Sequence, residues 1–462
     1  MRVTKASIYE VILFHIYILV YCLTFSHKDE WGPTVALLAI AAALVIIEYL
    51  RTHLFVSPIL IWYVFWLGVI AIGRMDLDLY PFYRTWTEDL LRLIVLNTLV
   101  FFWCYWAGEL TVSKITPVYK RPYMETVNGE LLSDITILLL AAACAAFAVN
   151  VVYKGVIPQL TTDPNSTRVT FVKTKYYKIV SLLRFVFALV PAAVKKTGSR
   201  SKKLVIIVLA LLFVAEEMLS GWRTYTLQAL ILLLSALFIM LESGIKSENR
   251  KLPGAPPRKA FARAGSMLIL AACAAAAMLF AGYIALYRDG VMGALKDKLE
   301  YVLYILDMYI APNFLNFQNA METVEPAGVP VYTTVALWSI LPGAQKIWDV
   351  LPEIDQSIGA FNVSTYLLHP WGDYGTAGTL VWSGLIALVS GGVFSSCRRS
   401  PTIFSTVLLG LMNITVFVLH NNLFLRATAV FIWLGMAAVI SIFLYMRGSR
   451  KNGNNNQPER AL

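Results

Sequence analysis

Residues 132–152 read LSDITILLLAAACAAFAVNVV, an apolar run with one charged side chain, Asp134. A helix that crosses the hydrocarbon core of a bilayer needs about 20 mainly apolar residues. This run meets that requirement, and comparable runs recur along the chain from Ile8 to Met446. The repeated pattern predicts an all-α fold in the form of a polytopic membrane helix bundle.

The composition also indicates a membrane protein. Of the 462 residues, 58% are hydrophobic and only 15% are charged, whereas soluble domains carry about 25% charged residues. The length rule, applied along the chain, predicts about twelve transmembrane helices. They are expected near residues 8–25, 33–50, 54–73, 90–111, 132–152, 179–194, 204–220, 225–242, 265–287, 377–396, 403–420 and 427–446.

The basic residues concentrate in alternate loops between the predicted spans, as cytoplasmic loops do under the positive-inside rule. Examples are Lys195, Lys196 and Arg200 before the seventh span, and Arg398 and Arg399 after the tenth. The alternation predicts that both termini are cytoplasmic. It also explains the net charge of +11 as a mark of topology, so no nucleic-acid partner is expected.

A single transmembrane domain is predicted for residues 1–447. Its largest outer loop, 288–376, is long enough to form an extracytoplasmic cap with its own helices, including an amphipathic interfacial helix over 291–311. The inner loop 243–264 is rich in proline and cations and is expected to contact anionic membrane lipid. The Asn-rich tail, 448–462, is predicted to be a disordered cytoplasmic segment.

No cofactor or metal is expected from the sequence. The five cysteines are scattered and show neither metal-ligand spacing nor a disulfide framework. Asp76 and Asp78 form an Asp-x-Asp pair, but they lie in a short loop flanked by Met, Leu and Tyr. We interpret that pair as a structural or rim feature.

Three arginines in separate segments are predicted at the extracytoplasmic side, at or near the ends of hydrophobic helices: Arg168, Arg223 and Arg288. A guanidinium group binds phosphate bidentately and stays charged near neutral pH. If the three converge, they would form a binding site for a polyprenyl-phosphate or pyrophosphate substrate. This site is the main functional hypothesis that the residues themselves provide.

Arg184 and two glutamates, Glu216 and Glu217, are predicted at a similar depth inside the sixth and seventh spans. Ionisable groups inside a bilayer usually pair or face an aqueous cavity. We predict that Arg184 pairs with these glutamates, positions Arg223 beside a cavity and contributes to pyrophosphate binding. The alternative is that the side chains extend towards the interface from near their helix ends.

The segment 362–375 joins the cap to the tenth span and carries candidate acid–base groups. His369 titrates near neutral pH, so it is a candidate general base. Asp373 is the other candidate, and Gly375 supports a tight backbone at the junction. Alternatively, Asp373 stabilises the N-terminus of the tenth helix through the helix dipole.

Aromatic and amide side chains of the cap are candidates for sugar contacts. Sugar rings stack on aromatic faces, and amides can form hydrogen bonds with sugar hydroxyls. The residues selected on this basis are Tyr366, Trp371, Asn316 and Asn319. The alternative is that the Trp and Tyr residues are present because such residues concentrate at membrane interfaces in general.

Three short motifs, in their order and predicted sidedness, resemble those of the oligosaccharide repeat-unit (O-antigen type) polymerases of bacteria. They are Gly-x-x-Pro…Arg-x-x-Phe at 155–171, Gly-x-Arg at 221–223 and Tyr…Gly-Asp-Tyr-Gly at 366–375. The many predicted spans, with one large outer loop between late spans, also fit that family. The resemblance implies a GT-C-like membrane glycosyltransferase in the bacterial inner membrane.

The resemblance also implies a reaction. A growing glycan would move from undecaprenyl pyrophosphate onto a lipid-linked oligosaccharide repeat unit, in the biosynthesis of O-antigen (lipopolysaccharide), capsule or exopolysaccharide. Arg168, Arg223 and Arg288 match the outer-loop arginines of the family, and Arg223 and Arg288 would stabilise the leaving pyrophosphate in place of a metal. The family pattern does not require His369, so the base stays open between it and Asp373. A chain-length regulator protein is an expected partner.

Other functions remain open at this point. An O-antigen ligase would use the same donor with a lipid A core acceptor. A transporter or flippase for lipid-linked oligosaccharide would need charges through both halves of the bilayer, and Glu10, His15 and Glu242 near the inner side keep that alternative open. A structural assembly partner would not need buried arginines.

Overall fold

The computed structural model describes residues 5–25, 31–52, 54, 56–74, 86–115, 127–251, 298–335 and 364–454. Every regular element in these ranges is a helix, and none of them is a strand. The predicted ninth span at 265–287, Arg288, parts of the predicted cap and the end of the tail lie outside the described residues.

The helices are numbered here in chain order. Their bounds are α1 Lys5–Leu23, α2 Trp31–Thr52, α3 Pro58–Gly73, α4 Glu88–Ile115, α5 Gly129–Lys154, α6 Pro164–Val172, α7 Lys175–Leu183, α8 Val190–Lys196, α9 Arg200–Leu219, α10 Arg223–Lys251, α11 Lys298–Thr323, α12 Leu368–Arg399, α13 Ile403–Phe417 and α14 Thr428–Asn454.

Within the described residues, seven helices are long and apolar enough to cross a membrane, by length and composition: α1, α2, α4, α5, α10, α12 and α14. An eighth span results if α7 and α8 are taken together. The protein is therefore a helical, multi-pass membrane protein. The other predicted spans in the described ranges also coincide with helices, but α3 and α13 are shorter and α9 carries charges at both ends. The figure of twelve spans stays a prediction.

Two of the predicted spans are interrupted. α3 contains a π-helical turn over Tyr63–Leu67, which an apolar pattern does not reveal. Between α7 and α8, a 3-10 turn over Arg184–Ala188 precedes a bend of 50°. Pro191 lies in the first turn of α8, where its missing backbone N–H costs no helical hydrogen bond. The predicted sixth span is thus a bent pair with Arg184 at the break.

α4 and α12 lie side by side and run parallel. Asn97 contacts Thr379 and Ser383 at one end of the pair, and Gly108 faces Leu388 at the other. A Cβ atom at Gly108 would lie 2.1 Å from the carbonyl oxygen of Leu388, so the small residue permits close backbone approach. The parallel arrangement agrees with the predicted sidedness, in which both helices cross in the same direction.

A buried charge cluster joins α1, α2 and α4. The Arg51 guanidinium lies 2.7 Å from Glu48, 2.8 Å from Glu109 and 3.3 Å from Glu10. The hydroxyl of Tyr63 in α3 donates to Glu10 at 2.6 Å. All four ion-pairing side chains are at most 3% exposed. Removing Arg51 would leave three buried carboxylates without their shared counter-ion, so the cluster fixes the relative positions of these helices.

The predicted interfacial helix over 291–311 overlaps α11, which is described from Lys298 and continues to Thr323. From Ile310 onwards most of its side chains are buried, including Phe314 and Phe317. The sequence prediction therefore ended this helix too early and missed its buried half. Apolar and amide residues alternate there, which hid the helix from a simple apolar criterion.

By its internal contacts the chain forms two compact units, residues 1–240 with 309–462, and residues 241–308. In the first unit, an extensive apolar core joins residues of α5, α7 to α10, α13 and α14. In the second unit, the described residues are two helical segments, 241–251 and 298–308. All candidate residues whose side chains are described belong to the first unit.

Candidate functional site

Two of the segments that carry predicted arginines meet in space. Gly221, in the turn before α10, has a φ of +83°, a conformation that favours glycine. A Cβ atom there would lie 3.4 Å from the Cβ of Arg168. The Arg168 guanidinium lies 5.0 Å from the ring centre of Trp222, within cation–π range. The turn therefore packs directly against Arg168 and α6.

Part of the Arg168 side chain is buried without a counter-ion in the described structure. Its Nε atom is buried and has no hydrogen-bond partner among the described residues. Arg223 begins α10 immediately after the turn, but its side chain lies outside the described atoms, as does all of Arg288. The structure thus brings Arg168 to the start of Arg223's helix and leaves the position of the Arg288 segment untested.

The residues around Arg168 form what we call the basic segment, 154–178. It contains five cations and one acidic residue: Lys154, Arg168, Lys173, Lys175, Lys178 and Asp163. Lys173, Lys175 and Lys178 are exposed. Such an excess of one sign attracts anions to the surface.

The predicted ion pair of Arg184 is present, and its partner is Glu217. Arg184 Nε lies 2.8 Å from Glu217 Oε1, and Arg184 Nη1 donates to Gln228 Oε1 at 3.0 Å. The other carboxylate oxygen of Glu217 accepts from the Tyr177 hydroxyl at 2.9 Å. The guanidinium also stacks on the ring of Tyr225 at 4.1 Å. These contacts connect the α7–α8 break to α9 and to the first turns of α10.

Arg184 is only 1% exposed, so it supports the turn from inside the bundle. Glu216 is also buried, at 7% exposure, but the Arg184 guanidinium contacts Glu217 and not Glu216. Glu217 is therefore the glutamate that holds Arg184, and the predicted contribution of Arg184 to pyrophosphate binding becomes an indirect one.

Asp373 is fully buried and fastens a loop to the start of α12. Its carboxylate accepts hydrogen bonds from the backbone N–H groups of Tyr332, at 2.7 Å, and Thr333, at 3.0 Å, and from the Thr333 hydroxyl. The backbone carbonyl groups of Gly372 and Asp373 accept from Ala327 and Gly328, both at 2.8 Å. Burial, and then the negative charge of Asp373, raise the pKa of Tyr332.

Because its oxygens accept three hydrogen bonds, Asp373 is placed as an anchor for the loop 324–334. A carboxylate offers about four acceptor sites, and three of those of Asp373 are occupied by Tyr332 and Thr333. The sequence also allowed a structural role for Asp373, as a charge that stabilises the N-terminus of the tenth span. The observed hydrogen bonds favour a structural role, but they connect Asp373 to the loop 324–334. His369, four residues earlier, is buried at 6% exposure.

Gly375 lies at a break in α12. Its φ is 60° and its ψ is −141°, and Tyr374 before it is also non-helical. A Cβ at Gly375 would lie 3.2 Å from Pro326, in the loop that Asp373 anchors. This backbone conformation strongly favours glycine, so the predicted supporting role of Gly375 has a geometric basis.

A pocket of about 400 Å³ lies where α4 begins, α11 ends and α12 begins. Its lining consists of Thr87, Asp89, Arg92, Leu93, Leu96, Gln318, Met321, Glu322, Trp371 and Thr376. Gln318 accepts a hydrogen bond from the backbone of Thr87 at 2.9 Å and so joins α11 to α4. Arg92 pairs with Glu88 at 2.9 Å, and both side chains are more than 70% exposed.

Only one of the four predicted sugar-contacting residues, Trp371, lines this pocket. Tyr366 is 1% exposed, and its hydroxyl shares a hydrogen bond of 2.5 Å with Ser383. Asn316 is also 1% exposed, and Asn319 is half-buried outside the lining. Tyr366 and Asn316 are thus packed inside the bundle, where a sugar could not reach them without rearrangement.

Asp89 and Arg92 are functional candidates that the sequence alone does not indicate. Arg92 follows Glu88 by four positions, the spacing of an ordinary solvated ion pair on a helix surface, so nothing in its own segment marks it. Their neighbours in the pocket come from segments more than 200 positions away. The described residues contain no group of three or more His, Cys, Asp or Glu side chains that could hold a metal ion.

Comparisons of the chain with known protein families, with curated proteins and with solved structures find no match. The fold and the site together define a class: a multi-pass helical membrane protein with an arginine-bearing turn and a separate polar pocket at helix ends. Its function is inferred from those features.

Proposed function

We propose that the protein is a polysaccharide polymerase of the O-antigen type, acting at the outer face of the bacterial inner membrane with both termini in the cytoplasm. It would transfer a growing glycan from undecaprenyl pyrophosphate onto a lipid-linked repeat unit. The observation that carries this proposal is the contact between Arg168 and the turn at Gly221 and Trp222, because it joins two of the three motifs.

In this proposal the basic segment and the turn bind the diphosphate of the donor. The bond between the anomeric carbon and a pyrophosphate oxygen breaks, and the new bond forms to a hydroxyl oxygen of the acceptor sugar. Negative charge develops on the leaving pyrophosphate, and Arg168, Arg223 and Arg288 stabilise it electrostatically. Arg184 and Glu217 act indirectly, because they hold the helix that begins at Arg223.

The proton of the acceptor hydroxyl passes to a base near the start of α12. His369 and Asp373 are the two candidates in this proposal. Both lie in the segment before the break at Gly375. His369 is favoured over Asp373 by the three hydrogen bonds that already engage the Asp373 carboxylate.

The direct test uses the full-length protein in detergent with lipid-pyrophosphate oligosaccharide and no nucleotide sugar or metal. We expect a ladder of polymer products. Arg168→Ala, Arg223→Ala and Arg288→Ala should each lower the rate of chain extension about 100-fold, whereas Arg200→Ala, at the exposed start of α9, should not. Equal activity of all four variants would contradict the site assignment.

Two alternatives are outcomes of the same experiment. Transfer of the glycan to a lipid A core acceptor, with no ladder, would identify an O-antigen ligase. Neither product, together with movement of the lipid-linked oligosaccharide across proteoliposome membranes, would identify a transporter.

The transporter is supported by one specific observation, the buried cluster around Arg51. Three carboxylates, Glu10, Glu48 and Glu109, share one guanidinium at the predicted inner side, and buried carboxylates in excess of their counter-ions are typical of proton-coupled proteins. Glu10→Gln, which leaves Arg51 paired with Glu48 and Glu109, should abolish translocation if the protein is a transporter. It should leave chain extension by the remaining folded protein intact if the protein is a polymerase.

A further inference from the structure

The α4–α11–α12 pocket combines an aromatic ring with polar side chains of several kinds. Trp371 lines it, and the Trp371 indole Nε1 is buried with no hydrogen-bond partner among the described residues. Asp89, Glu322 and Arg92 contribute charged groups, while the Gln318 amide already accepts from the Thr87 N–H and donates to Glu322. Carboxylate acceptors and a guanidinium donor thus lie beside an aromatic residue.

The charge of the pocket separates it from the basic segment. Among the described lining residues Arg92 is the one cation, and it is already paired with Glu88 at 2.9 Å and lies 3.9 Å from Asp89. Glu322 adds a further carboxylate. A phosphate group entering here would meet more negative than positive charge, which disfavours an anion.

A saccharide suits this combination. The C–H bonds of a sugar ring pack on an aromatic face, and its hydroxyls both donate to carboxylates and accept from a guanidinium group. The volume of about 400 Å³ lies within the range of small-molecule sites. A neutral sugar pays no penalty for the excess of carboxylates, and an amino sugar would gain from it.

We propose that this pocket binds an uncharged or amino sugar, with its ring against Trp371 and its hydroxyls on Asp89, Arg92 and Glu322. The pocket is separate from the Arg168 turn, and none of its lining residues belongs to the motifs that resemble the polymerase family except Trp371. The identity of this sugar as part of the acceptor repeat unit rests on the proposed function. The binding of a saccharide does not.

The test measures saccharide binding by saturation-transfer difference NMR. The full-length protein in detergent is mixed with maltose, lactose, cellobiose or chitobiose at millimolar concentration. At least one of these sugars should receive saturation from the wild-type protein. Trp371→Ala should weaken its binding about tenfold, as expected for loss of a stacking face. Glu322→Gln and Asp89→Asn, at exposed positions, should each weaken it severalfold without affecting folding.

A matched control lies in the neighbouring apolar pocket. Phe25 lines that pocket, which shares only Arg92 and Leu96 with the polar one. Phe25→Ala should leave sugar binding unchanged, and sodium pyrophosphate should not displace the sugar. The proposal is overturned if none of the four sugars receives saturation, if Asp89→Asn and Glu322→Gln leave binding unchanged, or if pyrophosphate competes with the sugar.

Failure of this proposal and failure of the proposed function can be told apart. A protein that binds a sugar through Asp89 and Glu322 but forms no polymer would contradict the polymerase and retain the saccharide pocket. A protein that forms polymer, and whose sugar binding is unaffected by the pocket variants, would retain the polymerase and contradict the pocket.

Discussion

The basic segment and the α4–α11–α12 pocket both lie at helix ends, but they differ in charge. The first contains five cations against one acidic residue, and its central Arg168 has a buried nitrogen without a hydrogen-bond partner in the described structure. The second contains one arginine among carboxylates, beside Trp371. The basic segment therefore favours phosphate, and the pocket favours sugar hydroxyls. The phosphate and the sugar of a phosphate-linked saccharide would thus bind in different regions of the protein.

The two regions also differ in how they are held in place. The turn beside Arg168 rests on a buried ion pair between helices, Arg184 with Glu217. The loop beside the pocket is held by a carboxylate that accepts backbone hydrogen bonds, Asp373 with Tyr332 and Thr333. Loss of Glu217 would leave a buried guanidinium without its counter-ion, whereas loss of the Asp373 carboxylate would leave uncharged backbone N–H groups without an acceptor. The first region should therefore be the more sensitive to substitution.

The largest expected effect is therefore on stability, at Glu217. Glu217→Gln should lower the free energy of unfolding by about 3–5 kcal/mol, because it leaves the buried Arg184 guanidinium without its counter-ion. Glu216→Gln is the matched control, since Glu216 is buried in the same turn of α9 but does not contact Arg184. Urea unfolding in detergent, followed by circular dichroism, measures both. Equal losses would show that the ion pair does not hold this region.

The next effect distinguishes the two regions by kinetics. Arg168→Ala should lower kcat for chain extension about 100-fold, the cost of losing one preorganised group that stabilises developing charge. Trp371→Ala should instead raise KM for the acceptor about tenfold, because it removes binding that is equal in the ground and transition states. Steady-state assays with the acceptor varied at saturating donor separate the two. If Trp371→Ala lowered kcat as much as Arg168→Ala, the division between phosphate and sugar surfaces would be wrong.

Some of the features behind these predictions could be predicted from the sequence, and others could not. The Arg184 pair was predicted because both partners lie at a similar depth in consecutive spans, and depth follows from counting residues along a helix. The choice of Glu217 over Glu216 could not be predicted, because adjacent residues on a helix face directions about 100° apart and the rotation of α9 is set by packing. The long apolar helices were likewise predictable from length alone.

The pocket and the Asp373 anchor were not predictable. Asp89 and Glu322 are more than 200 positions apart, and each belongs to a helix end whose own pattern is that of an exposed surface. Asp373 accepts hydrogen bonds from backbone groups about 40 positions away, and backbone donors carry no sequence signature. Contacts of this kind depend on which helices become neighbours, and an apolar pattern does not determine that.

A smaller effect is expected at the break in α12. Gly375→Ala should lower the free energy of unfolding by about 1–3 kcal/mol, because a φ of 60° with a ψ of −141° is strained for any residue with a Cβ atom. Gly435→Ala in α14 is the control, since a Cβ there meets no atom within 4 Å and alanine favours a helix interior. Thermal unfolding should show a lower Tm for the first variant and an unchanged or higher Tm for the second. The opposite order would mean that the break is not needed to seat the loop at Pro326.

The smallest effect on stability is expected at the exposed carboxylates of α4. The same substitutions test whether charge distinguishes the pocket from the basic segment. Glu88→Gln with Asp89→Asn should change the free energy of unfolding by less than about 1 kcal/mol, since exposed ion pairs contribute little. It should nevertheless change selectivity, because Arg92 then faces the pocket without its two neighbouring carboxylates. Pyrophosphate, which is not expected to compete for the wild-type pocket, should compete with the sugar in this double variant. If pyrophosphate does not compete in the double variant, the shape of the pocket and not its charge excludes anions. The difference in anion binding between the pocket and the basic segment would then be steric.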